Sequence, residues 1–483
     1  MFKRLMIVVL GLILGASAGA QVEEQPGRWL EGSVDVSGTN YPYRLLKPPV
    51  IEADTRYPLL VFLHGAGERG NDNTRQLKHL PAWLAENPDR WPGYVLAPQC
   101  PTGSRWVEVD WAAEASAPLK SPLRLPDPAM RAVLAALGET LRDHPIDEDR
   151  IALTGLSMGG YGAWYLATRH PNWFCAVAPI CGGGDERWAH RLAGVPLFVV
   201  HGDSDKAVPV VRSRAMVKAL REVGANPRYD EIEGGGHDVW TQTYRGPDFW
   251  PWVASCKRST NEGGIPALAA LRGLTAKRRP TERVAFFGDS ITQAGARPGG
   301  YVDLIAQALA ALDPPTEVIP AGISGNRVPD LLARVDEDVL AKKPSLVFVF
   351  IGINDVWHST RGKGTPIEEY KAGLHTLVRR IKESGADVIL ATPTVIGEKA
   401  AGENALDAML DEYALASKRV ALEEGVMWYD LRVPMTEHLT AFNSRNLEEG
   451  VLTTDGVHLN PAGNRFLAEH AALAIAAVWH GRK

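Results

Sequence analysis

Short apolar runs recur along the chain. Each is followed by a glycine-rich or polar turn, and then by a segment whose apolar positions fall three or four residues apart. In the first half the runs lie at 59–63, 94–97, 151–154, 174–180, 197–200 and 229–232, with helical periodicity at 129–141, 161–168 and 213–223. In the second half the runs lie at 284–287, 317–319, 346–351, 388–390 and 426–429, with helical patterns at 301–312, 367–383 and 404–424. Unbroken Val/Ile/Leu/Phe runs, in place of strict alternation, mark strands buried on both faces of a sheet. Both halves therefore predict α/β architecture with parallel sheets covered by helices. Residues 255–282 show no strand pattern, and Gly263-Gly264, Pro266 and Lys277-Arg278-Arg279-Pro280 mark a solvated connection with a short helix at 267–274. The expected division is 27–256, a linker at 257–281, and 282–483.

A length of 483 residues fits two such domains. Hydrophobic content of 45% and charged content of 23% exclude a disordered, collagenous or coiled-coil chain. Lys and Arg number 52 against 57 Asp and Glu, and no basic block is long enough to track a phosphate backbone, so nucleic acid is not an expected partner. Lys3 and Arg4, an apolar run at 5–14 and Ala18-Gly19-Ala20 spell a secretory signal peptide over 1–20, cut after Ala20. That run is too short to span a bilayer and no later one reaches about 20 apolar residues, so the expectation is a secreted or periplasmic protein without a membrane span. Cys100, Cys175, Cys181 and Cys256 allow three full pairings; export favours at least one disulfide, and buried free thiols are the alternative reading. No C-x-x-C or H-E-x-x-H pattern occurs; neither a metal nor a cofactor is expected.

Two stretches carry chemistry. The first, 151–160, reads I-A-L-T-G-L-S-M-G-G. G-x-S-x-G between a strand and a helix sets Ser157 on a tight turn, exposes its hydroxyl and leaves the Met158 amide facing a developing oxyanion. With 18 serines and 47 glycines, chance alone supplies about 0.17 such matches, so context has to decide. Leu63-His64-Gly65-Ala66-Gly67 follows the first strong strand, where a second oxyanion donor belongs, at Ala66. His201-Gly202-Asp203-Ser204-Asp205 and Gly234-Gly235-Gly236-His237 follow later strands, in the order serine, acid, histidine. Residues 40–250 thereby resemble an α/β-hydrolase esterase of the feruloyl and carbohydrate-esterase group. The pattern H-G-x-x-D-x-x-V-P implies Asp205 as the acid, with Asp203 the alternative, and His237 as the base for Ser157.

The second stretch, 284–293, reads V-A-F-F-G-D-S-I-T-Q, and Gly322-Ile323-Ser324-Gly325-Asn326, Gly352-Ile353-Asn354-Asp355 and Asp455-Gly456-Val457-His458 follow in order. Together these blocks resemble the SGNH, or GDSL-type, hydrolases over 282–476, which implies a flavodoxin-like three-layer α/β/α fold. The resemblance makes Ser290 the nucleophile, His458 the base and Asp455 its acid. Oxyanion donors would be the Ser290 amide, the Asn354 side chain and an amide from Gly325, with Gly322 the alternative.

Both sets imply acyl transfer to water through a serine ester. Eleven of the 14 Trp lie in the first half; Trp106, Trp111 and Trp240 there, and Trp357 in the second, are candidates to line substrate pockets. The expectation is a two-headed serine esterase acting on an ester-decorated polysaccharide or small esters. The second domain would remove acetyl groups and the first a bulkier ester. Rivals are lipase, lysophospholipase, thioesterase or peptidase activity in one domain, or a non-catalytic carbohydrate-binding module.

Overall fold

The computed structural model describes residues 28–109, 126–258, 265–443 and 445–482; the expected leader at 1–20 and Trp111 lie outside these. The first half forms an eight-stranded sheet from β1 (Trp29–Val36), β2 (Thr39–Leu46), β3 (Tyr57–Leu63), β4 (Tyr94–Pro98), β5 (Ile146–Leu156), β6 (Ala176–Ile180), β7 (Phe198–Gly202) and β8 (Arg228–Ile232). The strand order is β1-β2-β4-β3-β5-β6-β7-β8. From β4 onward neighbouring strands run parallel, whereas β1 and β2 form an antiparallel hairpin and β2 joins β4 antiparallel. The buried strands are those whose apolar runs are unbroken. The hairpin sits at the sheet edge and mixes exposed with half-buried positions, so no apolar run announced it.

The second half forms a five-stranded, wholly parallel sheet from β9 (Arg283–Gly288), β10 (Glu317–Gly322), β11 (Leu346–Phe350), β12 (Asp387–Ala391) and β13 (Met427–Tyr429), ordered β10-β9-β11-β12-β13. In both sheets the chain leaves the carboxyl ends of the strands into loops, which is where open α/β sheets gather their ligands. Among the described residues no helix is long and apolar enough to cross a membrane.

The stretch read as a solvated connection differs from that expectation. Helix Pro266–Gly273 is apolar at Ala267, Leu268, Ala270 and Leu271, and all four are buried in the second core. Two flanking arginines are spent on carbonyls, a carboxylate and a hydroxyl. Arg258 donates to Asn172 O at 2.6 Å and to Asp149 at 3.2 Å, and Arg278 to Thr316 Oγ1 at 2.6 Å and Pro314 O at 2.7 Å. Side chains from the two halves also meet directly. Arg169, after β5, forms a two-pronged pair with Glu437, Nε to Oε2 at 2.7 Å and a terminal nitrogen to Oε1 at 2.5 Å, in a buried setting. Arg191 donates to Tyr429 Oη at 3.2 Å, and Trp173 packs edge-on to Phe442. All four cysteines are free thiols; Cys100, Cys175 and Cys181 are buried.

Candidate active sites

β5 ends at Leu156, and Ser157 follows with φ 56° and ψ −118°, a backbone conformation that non-glycine residues rarely adopt. Helix Met158–Arg169 then starts at once. The turn is this tight because Gly159 lets the helix settle on β3; a Cβ there would lie 1.8 Å from Leu63 O. Ser157 Oγ lies 2.9 Å from His237 Nε2, and His237 Nδ1 lies 2.6 Å from Asp205 Oδ2. Asp205 Oδ1 accepts from the Ala207 and Val208 amides at 2.8 and 2.9 Å. The Asp205 side chain is fully buried; burial works against its charge, yet bonds from His201, His237 and the two amides outweigh it and hold the carboxyl well below the usual range. Asp203 instead accepts from Ser204 Oγ at 2.8 Å. Between the two acids left open by the sequence, geometry therefore joins Asp205 to His237.

Two supporting histidines were not assigned roles from sequence. His201 Nε2 faces two acceptors, Val208 O at 2.9 Å and Asp205 Oδ2 at 3.3 Å, so it carries a proton and donates toward the same carboxylate that serves His237. His64 Nε2 accepts from the Cys100 amide at 2.9 Å, which puts the proton on Nδ1, 2.6 Å from Gly65 O. Burial pushes the His64 imidazole down to about 4, so it stays neutral and braces the turn that begins at Ala66.

Trp106 belongs to this bracing and not to a pocket wall. It is 1% exposed, and its Nε1 donates to His64 O at 2.9 Å. The expected platform role does not fit a ring enclosed by core. Trp240 stands edge-on to His237 with ring centres 5.1 Å apart, and so does border the site. Cys181, His201 and Asp205 place possible metal-ligand atoms within 4.8 Å of one another. Both His201 nitrogens are, however, already hydrogen-bonded, to Ser213 Oγ and Val208 O, and Asp205 is engaged by His237.

In the second half β9 delivers Gly288-Asp289-Ser290 to helix Ser290–Gly295, with the Asp289 carboxylate capping the Ile291 amide at 2.9 Å. Ser290 Oγ lies 2.9 Å from His458 Nε2, and His458 Nδ1 lies 2.7 Å from Asp455 Oδ2. Partial burial opposes the charge of Asp455, but the His458 ring and the His458 and Val457 amides hold its carboxyl below the ordinary value. Gly325, at φ 80°, lies in the open loop after β10, whereas Gly322 is wedged where a Cβ would meet the Gln293 amide at 2.2 Å. Asn354 lies in the first turn of helix Ile353–Trp357 after β11 and donates from Nδ2 to Asn326 O at 3.1 Å, which fixes the plane of its amide. Trp357 stands edge-on to His458, centres 6.2 Å apart.

Each chain of hydroxyl, imidazole and carboxylate can pass the serine proton to the ring while the carboxylate steadies the imidazolium. The two differ in setting. The first acid is enclosed, whereas 47% of the Asp455 side chain is exposed.

Comparison with known proteins agrees with this division. Residues 49–245 match the family described as Phospholipase/Carboxylesterase, and residues 286–466 match the GDSL-like Lipase/Acylhydrolase family. The chain is similar to an acetylxylan esterase of Geobacillus stearothermophilus, 34% identical over 216 residues, covering 41% of this chain and 95% of that protein. It is similar to the human isoamyl acetate-hydrolyzing esterase 1 homolog, 32% identical over 208 residues, covering 39% and 79%. An uncharacterized secreted protein of Arthroderma benhamiae is 26% identical over 235 residues, covering 40% of this chain and 23% of that one. The chain belongs to the GDSL-like lipase/acylhydrolase family through its second half, carries a carboxylesterase domain ahead of it, and is an esterase.

Proposed function

We propose that the chain is an exported enzyme with two independent serine esterase sites, Ser157-His237-Asp205 and Ser290-His458-Asp455, that strip ester groups from a decorated polysaccharide. The observation that carries this reading is the pair of hydrogen-bonded chains, 2.9 and 2.6 Å in one and 2.9 and 2.7 Å in the other. Ala66 and Met158 amides serve the first oxyanion; the Ser290 and Gly325 amides and the Asn354 side chain serve the second. Losing one such donor typically raises a barrier by about 3 kcal/mol.

The second site removes acetyl groups, a reading supported by the named activities of the chain's acetylxylan and isoamyl acetate relatives. The first takes a bulkier acyl group of the feruloyl type, with Trp240 as one wall. Export rests on the signal peptide pattern over 1–20 and on a secreted relative. Two esterases on one chain raise each other's effective concentration on a shared polymer. The test is the substrate profile of Ser157→Ala and Ser290→Ala on acetylated xylan and methyl ferulate. Loss of acetyl release only in Ser290→Ala, and of ferulate release only in Ser157→Ala, supports the assignment; the reverse pattern, or loss of both from one change, overturns it.

A further inference from the structure

The loop at 450–460 buries Val457 in the second core and carries Asp455 and His458 on either side of it. Their side chains are 47% and 34% exposed. What fixes them lies underneath. Glu398, on the segment after β12, is fully buried. Its Oε2 accepts from the Val451 amide at 2.7 Å, and its Oε1 accepts from the Leu452 and Thr453 amides, both at 2.6 Å, and from Thr453 Oγ1 at 2.9 Å. The neighbouring Lys399 turns to Glu448 instead, so donors of this loop take the place of a cation.

The contact runs on to the catalytic pair. Thr453 Oγ1, while donating to Glu398, accepts from the amide of Gly456, the residue next to Asp455. Gly397 N donates to Gly456 O at 2.8 Å and Glu398 N to Glu448 O at 2.9 Å, so side chain and backbone of one segment grip the loop at several points. Within the loop, Thr454 N donates to His458 O at 2.7 Å, and the Asp455 carboxylate accepts from the His458 amide at 2.7 Å. Displacing residues 451–453 therefore displaces the imidazole.

We infer that Glu398 is a positioning residue of the second site: its carboxylate sets the loop so that His458 meets Ser290. This rests on the Ser290-His458-Asp455 reading above. A carboxylate presents about four lone-pair sites, and here four donors fill them. Glutamine has nearly the same size but fewer acceptor sites, and its amide hydrogens would point at backbone N–H groups. Glu398→Gln therefore disturbs the loop without opening a cavity.

The test uses the full chain carrying Ser157→Ala, so that ester hydrolysis reports on Ser290. Adding Glu398→Gln should lower kcat about 10²-fold, the loss expected from a displacement of about 1 Å. KM should stay within about twofold, because Gly325, Asn354 and Trp357 are untouched. Thr453→Ser keeps the hydroxyl relay and should act like the parent, whereas Thr453→Val removes it and should lose kcat about tenfold. The threonine pair decides the matter should Glu398→Gln fail to fold. Unchanged kcat in folded Glu398→Gln, or equal activity in the two threonine variants, overturns the role of Glu398 alone. Hydrolysis that persists in Ser157→Ala/Ser290→Ala overturns the two-site reading and this inference with it.

Discussion

Asp205→Asn is the most informative single change, because the structure dictates which way the new amide must face. One carboxylate oxygen accepts from two backbone amides, Ala207 and Val208, and the other faces His237 Nδ1 and His201 Nε2. The asparagine carbonyl has to take the backbone side, since an NH2 group there would meet two N–H donors. The NH2 group then points at His237 Nδ1, which must accept, and the ring proton moves to Nε2. In that tautomer Nε2 has no lone pair for the Ser157 proton. Loss of the correct tautomer in such a triad costs about 10⁴ in kcat, about 5.5 kcal/mol of barrier. The buried carboxylate leaves no room for water to substitute. Asp455→Asn is the contrast: Asp455 Oδ1 also accepts two amides, but its exposure admits water, and a loss of about 10² is expected. The assay is kcat on a p-nitrophenyl ester, with Asp205→Asn placed in the Ser290→Ala chain. Retention of more than about a tenth of the rate by Asp205→Asn, together with collapse in Asp203→Asn, would refute the reasoning and move the acid to Asp203.

Two further outcomes concern the junction between the halves. Glu437→Gln removes the negative charge paired with the buried Arg169 guanidinium, and should lower unfolding stability by about 3–5 kcal/mol in urea titration; a change within about 0.5 kcal/mol would mean the pair is solvated in solution. Glu469 is pushed by burial from 4.5 up to about 7. The folded chain therefore keeps a proton that the unfolded chain has released between those values, so stability falls as pH rises through the window. Glu469→Gln can still accept from the Ala267 amide and should match the parent below the window and exceed it above; equal stability on both sides would place Glu469 in a wetter setting.

The legible parts of the chain were those whose cause is local. A strand that must turn at once into a helix needs small residues around its serine, so 155–159 showed in sequence, and so did the glycine and Asp-x-x-His blocks of the second half. The parallel strands showed because burial on both faces demands unbroken apolar runs, whereas the β1–β2 hairpin mixes exposed and half-buried residues and left no such run. Long-range partners stayed hidden. Arg169 and Glu437 are 268 positions apart, and neither has a motif. Trp106 was a candidate pocket ring because tryptophan serves cores and binding faces alike; its burial and its bond to His64 O place it in the core. Glu398 carries no signal, since three of its four donors are backbone amides that any residues would supply and the fourth, Thr453 Oγ1, lies 55 positions away.

The proposed chemistry needs two separately activated serines. Its most direct test is intact-protein mass after saturation with a fluorophosphonate probe. The parent should take up two adducts, Ser157→Ala and Ser290→Ala one each at the remaining serine, and the double variant none. A parent that takes up a single adduct, or a folded single variant that takes up none, would contradict it.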